Sequence, residues 1–210
     1  MINRNAYLND VLFALYAAEK LGWTALARTH FHRILYLCAA LSALVDSEWG
    51  YDFSNTLYGP FNRYISTAPD ELVHQRYAEA VEVTVQRDSK MKATFRATEA
   101  GKERVELIAK LRREQRRLAW IHSVMGVLTV YGPTVTSKLA YFEPTFTTMK
   151  LENRRGAIEL SGENNQSIQL LRRLSDQLER EYSIHLDTPV SHLIFYFDYL
   201  SRDIGRSEPK

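Results

Sequence analysis

The sequence predicts a mainly α chain with one small β-hairpin, an α+β fold in three parts. Residues 1–97 read as a winged-helix-like N-terminal module, 98–131 as a long connecting helix, and 132–210 as a helical C-terminal module. Three observations predict this. Apolar residues recur at i, i+3, i+4 spacing in several separate stretches. The period switches to alternation between Val81 and Phe95. After Thr98 the helical spacing resumes and runs past Leu128 with no proline to stop it.

In order, Asn5 or Asn9 can cap a first helix with the stripe Leu8, Leu12, Leu15, ending at Gly22. Thr24 then caps a second helix reaching about Val45, with Phe31, Ile34, Leu35, Cys38, Leu41 and Val45 on its buried face. Cys38 lies within that face and reads as a small core residue. Residues 46–56 form an aromatic-rich loop around Trp49, Tyr51 and Phe53. In Tyr58-Gly59-Pro60-Phe61 the proline suits the first turn of a short helix, Pro60 to Ser66. A further helix starts at Pro69 and runs to about Ala80. Val81, Val83 and Val85 then alternate on one strand and Met91, Ala93 and Phe95 on the next, with a turn over 87–90.

A helix followed by a hairpin is the order of a recognition helix and its wing. Between Pro69 and Ala80, however, Asp70, Glu71 and Glu79 face a single Arg76, and a net −2 helix repels phosphates. The hairpin is more basic, with Arg87, Lys90, Lys92 and Arg96, which permits a backbone contact to DNA without base reading. Use of the module as a protein-interaction scaffold is the stronger expectation.

The connecting helix follows the cap Thr98, and 98–131 as one rod would span roughly 50 Å. Val105, Ile108, Leu111, Leu118, Ile121, Met125 and Leu128 supply its stripe; a core helix with a break near Glu114-Gln115 is the alternative. Its first half carries seven basic residues against three acidic ones between Lys102 and Arg117. Arg112, Arg113, Arg116 and Arg117 recur on one side, a ridge suited to an acidic partner or a DNA backbone. The second half is apolar on several sides and requires cover from the C-terminal module or from a second copy of the chain. Tyr131-Gly132-Pro133 ends the rod, and Thr134 to Phe142 reads as a short helix. The pattern leaves 145–160 open between an extended pair and a loop. Ser161 can cap a helix with the stripe Ile168, Leu171, Leu174, Leu178 and Tyr182. Thr188 caps the last one, in which Phe195, Tyr196 and Tyr199 widen the apolar surface enough to anchor a partner.

Bulk properties narrow the function. A net charge of +2 from 27 basic and 25 acidic residues removes overall charge as an argument for nucleic-acid binding. One cysteine fits a reducing compartment, and no leader-like or membrane-length apolar run occurs, so a cytoplasmic protein that does not enter a membrane is expected. His30 and His32 are two apart, on different sides of a helix, and His122, His185 and His192 have no ligand-spaced neighbours; no metal is expected. Neither a phosphate-binding glycine loop nor a nucleophile-elbow motif is present. The chain therefore reads as non-enzymatic, with no cofactor.

The Ile34-Leu35-Tyr36-Leu37 helix, the aromatic loop, Tyr58-Gly59-Pro60-Phe61, the hairpin and Phe95-Arg96-Ala97-Thr98-Glu99-Ala100-Gly101 together resemble the Panacea and SocA-like antitoxin domains. With Tyr141-Phe142-Glu143-Pro144-Thr145-Phe146 the chain more closely resembles the middle components of bacterial three-component systems built on an ABC-type or SMC-like ATPase, such as Lamassu-type phage defence. That resemblance implies a structural adaptor that docks on the ATPase and on an effector subunit. Tyr58, Gly59, Pro60, Phe61, Phe195, Tyr196 and Tyr199 are the expected protein contacts, and the four arginines are expected to meet DNA or an acidic partner. A winged-helix DNA-binding regulator and a Panacea-like antitoxin are the alternatives.

Overall fold

The computed structural model describes residues 4–45, 49–85 and 91–207. The chain is mainly helical with small antiparallel sheets. In order, the elements are α1 (Arg4–Lys20), β1 (Leu26–Ala27), α2 (Arg28–Ala40), a 3-10 turn (Ser42–Val45), β2 (Phe53–Thr56), β3 (Gly59–Phe61), α3 (Arg63–His74), β4 (Ala78–Val85) and β5 (Met91–Ala97). Then come α4 (Glu99–Ile108), α5 (Arg112–Thr129), α6 (Gly132–Phe142), α7 (Pro144–Leu151), β6 (Gly156–Ile158), a 3-10 turn (Gly162–Asn164), α8 (Gln166–Tyr182) and α9 (Pro189–Ser207).

They form two compact units that do not follow the contiguous modules 1–97, 98–131 and 132–210. The first is Met1–Leu35 with Asn62–Gly126, the second Tyr36–Phe61 with Val127–Lys210.

In the first unit α1 packs on α3, α4 and β5. Val11, Leu12, Phe13, Ala14 and Leu15 are all buried, so this helix is apolar nearly all round and sits in the core. Burying a side chain the size of Phe13 contributes on the order of 2 kcal/mol. Asn5 and Asn9 lie inside α1 rather than capping it. Gly22, at φ +80°, ends it as the sequence predicts, with the Trp23 amide donating back to the Ala18 carbonyl at 2.8 Å. The sheet order is β1-β5-β4, with Leu26 opposite Phe95 and Ala78 opposite Ala97. A bulge at Val81 shifts the register, and Val81 and Val83 are exposed. The predicted turn at 87–90, with Arg87 and Lys90, lies outside the described residues.

Two helix boundaries differ from expectation for local reasons. Pro60 opens no helix; it pairs with Asn55 in a β2–β3 hairpin. Asn62 is the true cap, its side-chain oxygen accepting from the Tyr64 and Ile65 amides at 2.9 and 3.0 Å. Pro69 is buried within α3 instead of starting a helix, and Arg76 at φ 63° ends the turn that follows, so Glu79 and Ala80 belong to a strand. The second helix likewise starts at Arg28, because Leu26 and Ala27 pair with β5.

The single rod over 98–131 is not formed. α4 ends at Ile108 and α5 begins at Arg112. The cause is phase. On one straight helix, Val105 and Ile108 would point nearly opposite to Ile121, Val124, Met125 and Leu128, yet all six are buried. Interrupting the helix at Ala109–Leu111 lets each cluster face a core. The break falls a few residues before Glu114-Gln115.

In the second unit, β2 lies between β3 and β6, with Phe53 opposite Ile158. The segment left open by pattern is α7 followed by β6. Asn165, not Ser161, caps α8: its Oδ1 accepts from the Ile168 amide, while its Nδ2 donates to the Ala40 and Leu160 carbonyls at 2.7 and 3.1 Å.

Candidate partner-docking site

The β2–β3 hairpin turns through two residues, Leu57 and Tyr58, which are 93% and 85% exposed. The two form one exposed apolar pair on a turn that is braced from three directions. The Thr56 hydroxyl donates to the Gly59 carbonyl at 2.7 Å and accepts from the Tyr58 amide at 3.3 Å. The Tyr141 hydroxyl, from α6, donates to the Tyr58 carbonyl. Gly59 holds φ +111°, and a Cβ there would lie 3.2 Å from the Tyr141 ring, so glycine serves both the turn and the close approach. Of the predicted contacts 58–61, Tyr58 reaches solvent fully and Phe61 is 39% exposed, while Gly59 and Pro60 are buried and act as scaffold. The sequence reading missed Leu57, which supplies the most exposed apolar surface of the turn.

Beneath the same sheet lies a closed polar cluster. Glu143 caps α7, its Oε2 accepting from the Phe146 amide at 2.7 Å and from the Tyr36 hydroxyl. Its Oε1 accepts from the Ser167 hydroxyl, which stands 2.5 Å from the Tyr196 hydroxyl. Burial, and then the nearby Glu143, push both phenols well above the ordinary tyrosine range, so they stay protonated as donors. All four side chains are fully buried, so serine, carboxylate and phenol meet where no substrate reaches them. The cluster supports the site. Tyr36 packs edge-on against Phe53 of β2 with ring centres 5.2 Å apart, linking the polar cluster to the hairpin's base.

The other predicted contacts are redistributed. Tyr196 is buried and held by Ser167, so it is no surface anchor; Phe195 and Tyr199 are half-buried. On α9, Val190 and Ile194 are the more exposed, at 41% and 53%. Arg112, Arg113 and Arg116 are exposed, but Arg117 leaves the ridge. It is buried against the fully buried Asp10 of α1, its Nε donating to Oδ1 at 3.0 Å and its Nη2 to Oδ2. Burial raises the Asp10 carboxyl to about 6 although Arg117 opposes the shift.

The helix before the long hairpin carries more acid than base. α3 carries Asp70 and Glu71 against Arg63. Arg28, the nearest cation, is committed to Asp70 at 2.8 and 3.0 Å. Among the described residues of the hairpin, Arg96 is paired with Glu79 at 2.5 Å and Lys92 is exposed. His30 and His32 accept from the amides of Ala27 and Asn62 through Nδ1, each at 3.2 Å. Among the described residues no helix is long and apolar enough to cross a membrane. No protein-family model, curated protein or solved structure matches the chain.

Proposed function

We propose that this chain is a non-enzymatic adaptor subunit whose winged-helix-like unit and braced hairpin tip bind other proteins. The observation that carries the reading is the Leu57–Tyr58 tip: two solvent-facing apolar side chains on a turn fixed by Thr56, Gly59 and Tyr141. A rigid turn loses little conformational entropy on binding, and Tyr with an aliphatic neighbour suits an interface anchor. Within the first unit, the order α1–β1–α2–α3–β4–β5 with sheet order β1-β5-β4, into which the chain of the second unit is inserted between α2 and α3, supports the winged-helix description. The acidic α3 favours protein over DNA as its ligand.

The resemblance to the middle components of ABC- or SMC-type defence systems supplies the partner class: an ATPase subunit and an effector in a cytoplasmic anti-phage complex. Co-expression with the products of the neighbouring genes, followed by native mass measurement, tests this. The expected result is a ternary complex that Leu57→Ser/Tyr58→Ser dissolves while the isolated variant unfolds at the wild-type temperature. A complex untouched by the double substitution would remove the tip from the interface, and failure of any complex to form would remove the adaptor role.

A further inference from the structure

The apolar face of α8 is covered at its start and open at its end. Ile168 and Leu171 are buried, Leu174 and Leu178 half-buried, and Tyr182 is 65% exposed. Ile184, just past the helix, continues the surface at 49% exposure. Projected at about 100° per residue, Leu174, Leu178 and Tyr182 form one stripe with Glu179 and Glu181 on its two sides. Arg173 and Arg180 project to the far face, and Arg172 lies toward the buried end. The open half of the stripe is thus an apolar strip edged with acid.

The helix break at Ala109–Leu111 creates the opposite surface. Leu107 and Leu111 are 54% and 63% exposed there; Lys110, Arg112, Arg113 and Arg116 follow Leu107 in sequence and are all exposed, while Glu103 and Glu106 are exposed on the α4 side. The nearby Glu114 is half-buried and accepts from the Asn9 side chain at 3.4 Å. The α5 side of this corner is an apolar spot edged with base.

We propose that the open end of α8 in one copy docks on the α4–α5 corner of a second copy, leucines against leucines and Glu179 and Glu181 against the three arginines. Leucines and opposite charges meet in this contact, and a dimer closes where each of two copies gives its α8 to the other's corner. The contact uses none of the hairpin-tip residues, so it stands or falls apart from the adaptor reading.

Sedimentation velocity of the full chain over a concentration series, at low and high salt, tests the proposal. Wild type is expected to dimerise with concentration, less so in high salt. E179R/E181R alone and R112E/R113E/R116E alone should each weaken the dimer by about tenfold or more. An equimolar mixture of the two variants should dimerise again, because each then offers the charge the other lacks. The substituted positions lie at the surface; if one variant fails to fold, E179Q/E181Q and Leu111→Ser replace it, each expected to weaken the dimer. A wild type that stays monomeric, variants as dimeric as wild type, or a mixture that stays monomeric each overturns the proposal.

Discussion

Replacing Gly101 with alanine should reverse the usual sign of that substitution. In a helix interior, glycine to alanine ordinarily stabilises by roughly 0.5–1 kcal/mol. At Gly101 the added Cβ would stand 2.0 Å from the Tyr77 carbonyl oxygen and 3.0 Å from its carbon, with the Leu12 Cδ1 at 3.3 Å. Backbone cannot swing aside as a side chain can. Reaching an ordinary separation of roughly 3.5 Å means moving α4 or the Tyr77 segment by about 1.5 Å. That movement breaks a joint built from the same atoms. The Thr98 amide donates to the Tyr77 carbonyl at 3.1 Å, the Gly101 amide to the Thr98 hydroxyl at 3.1 Å, and that hydroxyl to the Arg76 carbonyl at 2.7 Å. Overpacking at about 1–3 kcal/mol plus two bonds at about 1 kcal/mol each gives a loss on the order of 3–5 kcal/mol. Gly126→Ala in α5 is the internal control, since its Cβ would meet only Leu21 Cδ2 at 3.8 Å; it should stabilise by roughly 0.5–1 kcal/mol. Guanidinium unfolding followed by circular dichroism measures both. If G101A unfolds at or above the wild-type midpoint, the close approach of α4 to Tyr77 is not a feature of the folded chain.

Glu143→Ala would leave the Tyr36 and Ser167 hydroxyls and the Phe146 amide without their acceptor, at a cost of about 3 kcal/mol or more; thermal unfolding and faster exchange of the Phe146 amide report it. Two buried groups in the first unit should oppose each other with pH. Asp10 titrates near 6 in the folded chain against 3.8 ordinarily, so its contribution is full at low pH and lost as pH rises through about 6. His32 is pushed from 6.5 down to about 4 by burial, then by Arg28 and Arg33, so its contribution is full above 6.5 and lost as pH falls toward 4; His30 shifts in the same sense. Between pH 4 and 6 Asp10 should therefore offset part of the rise contributed by the histidines in the wild type, whereas Asp10→Asn should gain stability with rising pH more steeply, the two proteins differing by up to about 1.4 kcal/mol per unit for one proton. Parallel curves for the two proteins would show that Asp10 does not titrate there.

Elements whose apolar period is self-consistent were legible from sequence. α2 buries Phe31, Ile34, Leu35 and Cys38 as spacing predicts, with Leu41 buried just past its end, and β4–β5 pair where alternation begins. The rod was misread because matching intervals of three, four and seven ignores accumulated phase. Leu111 to Leu118 is two helical turns less about 20°, and each step of three falls about 60° short of a turn, so the stripe moves around the helix until Val105 and Leu128 no longer share a face. A running angle, rather than a tally of intervals, exposes the break. Pro60 and Pro69 misled for a different reason: Asn62 sets the start of α3, so Pro60 falls in the strand before it and Pro69 inside the helix, where it forgoes one helical hydrogen bond instead of starting a new helix.

At the site, burial depended on partners that spacing along one helix does not reveal. Arg117 looks like its neighbours on α5, but Asp10 stands opposite it from 107 residues away and draws it inward. Tyr196 looks like Phe195 and Tyr199, but Ser167 gives its hydroxyl a buried partner, which lets a phenol sit where only apolar rings otherwise would. The Glu143-Pro144 pair did carry a readable signal. An acidic residue before a proline at the first helical position is a cap, and a cap that also binds Tyr36 and Ser167 fixes α7 and α8 around one carboxylate. Its removal should loosen that packing without altering any residue of the exposed tip. If E143A also weakens partner binding while Leu57 and Tyr58 remain in place, the partner is reading the rigidity of the turn and not its two side chains alone.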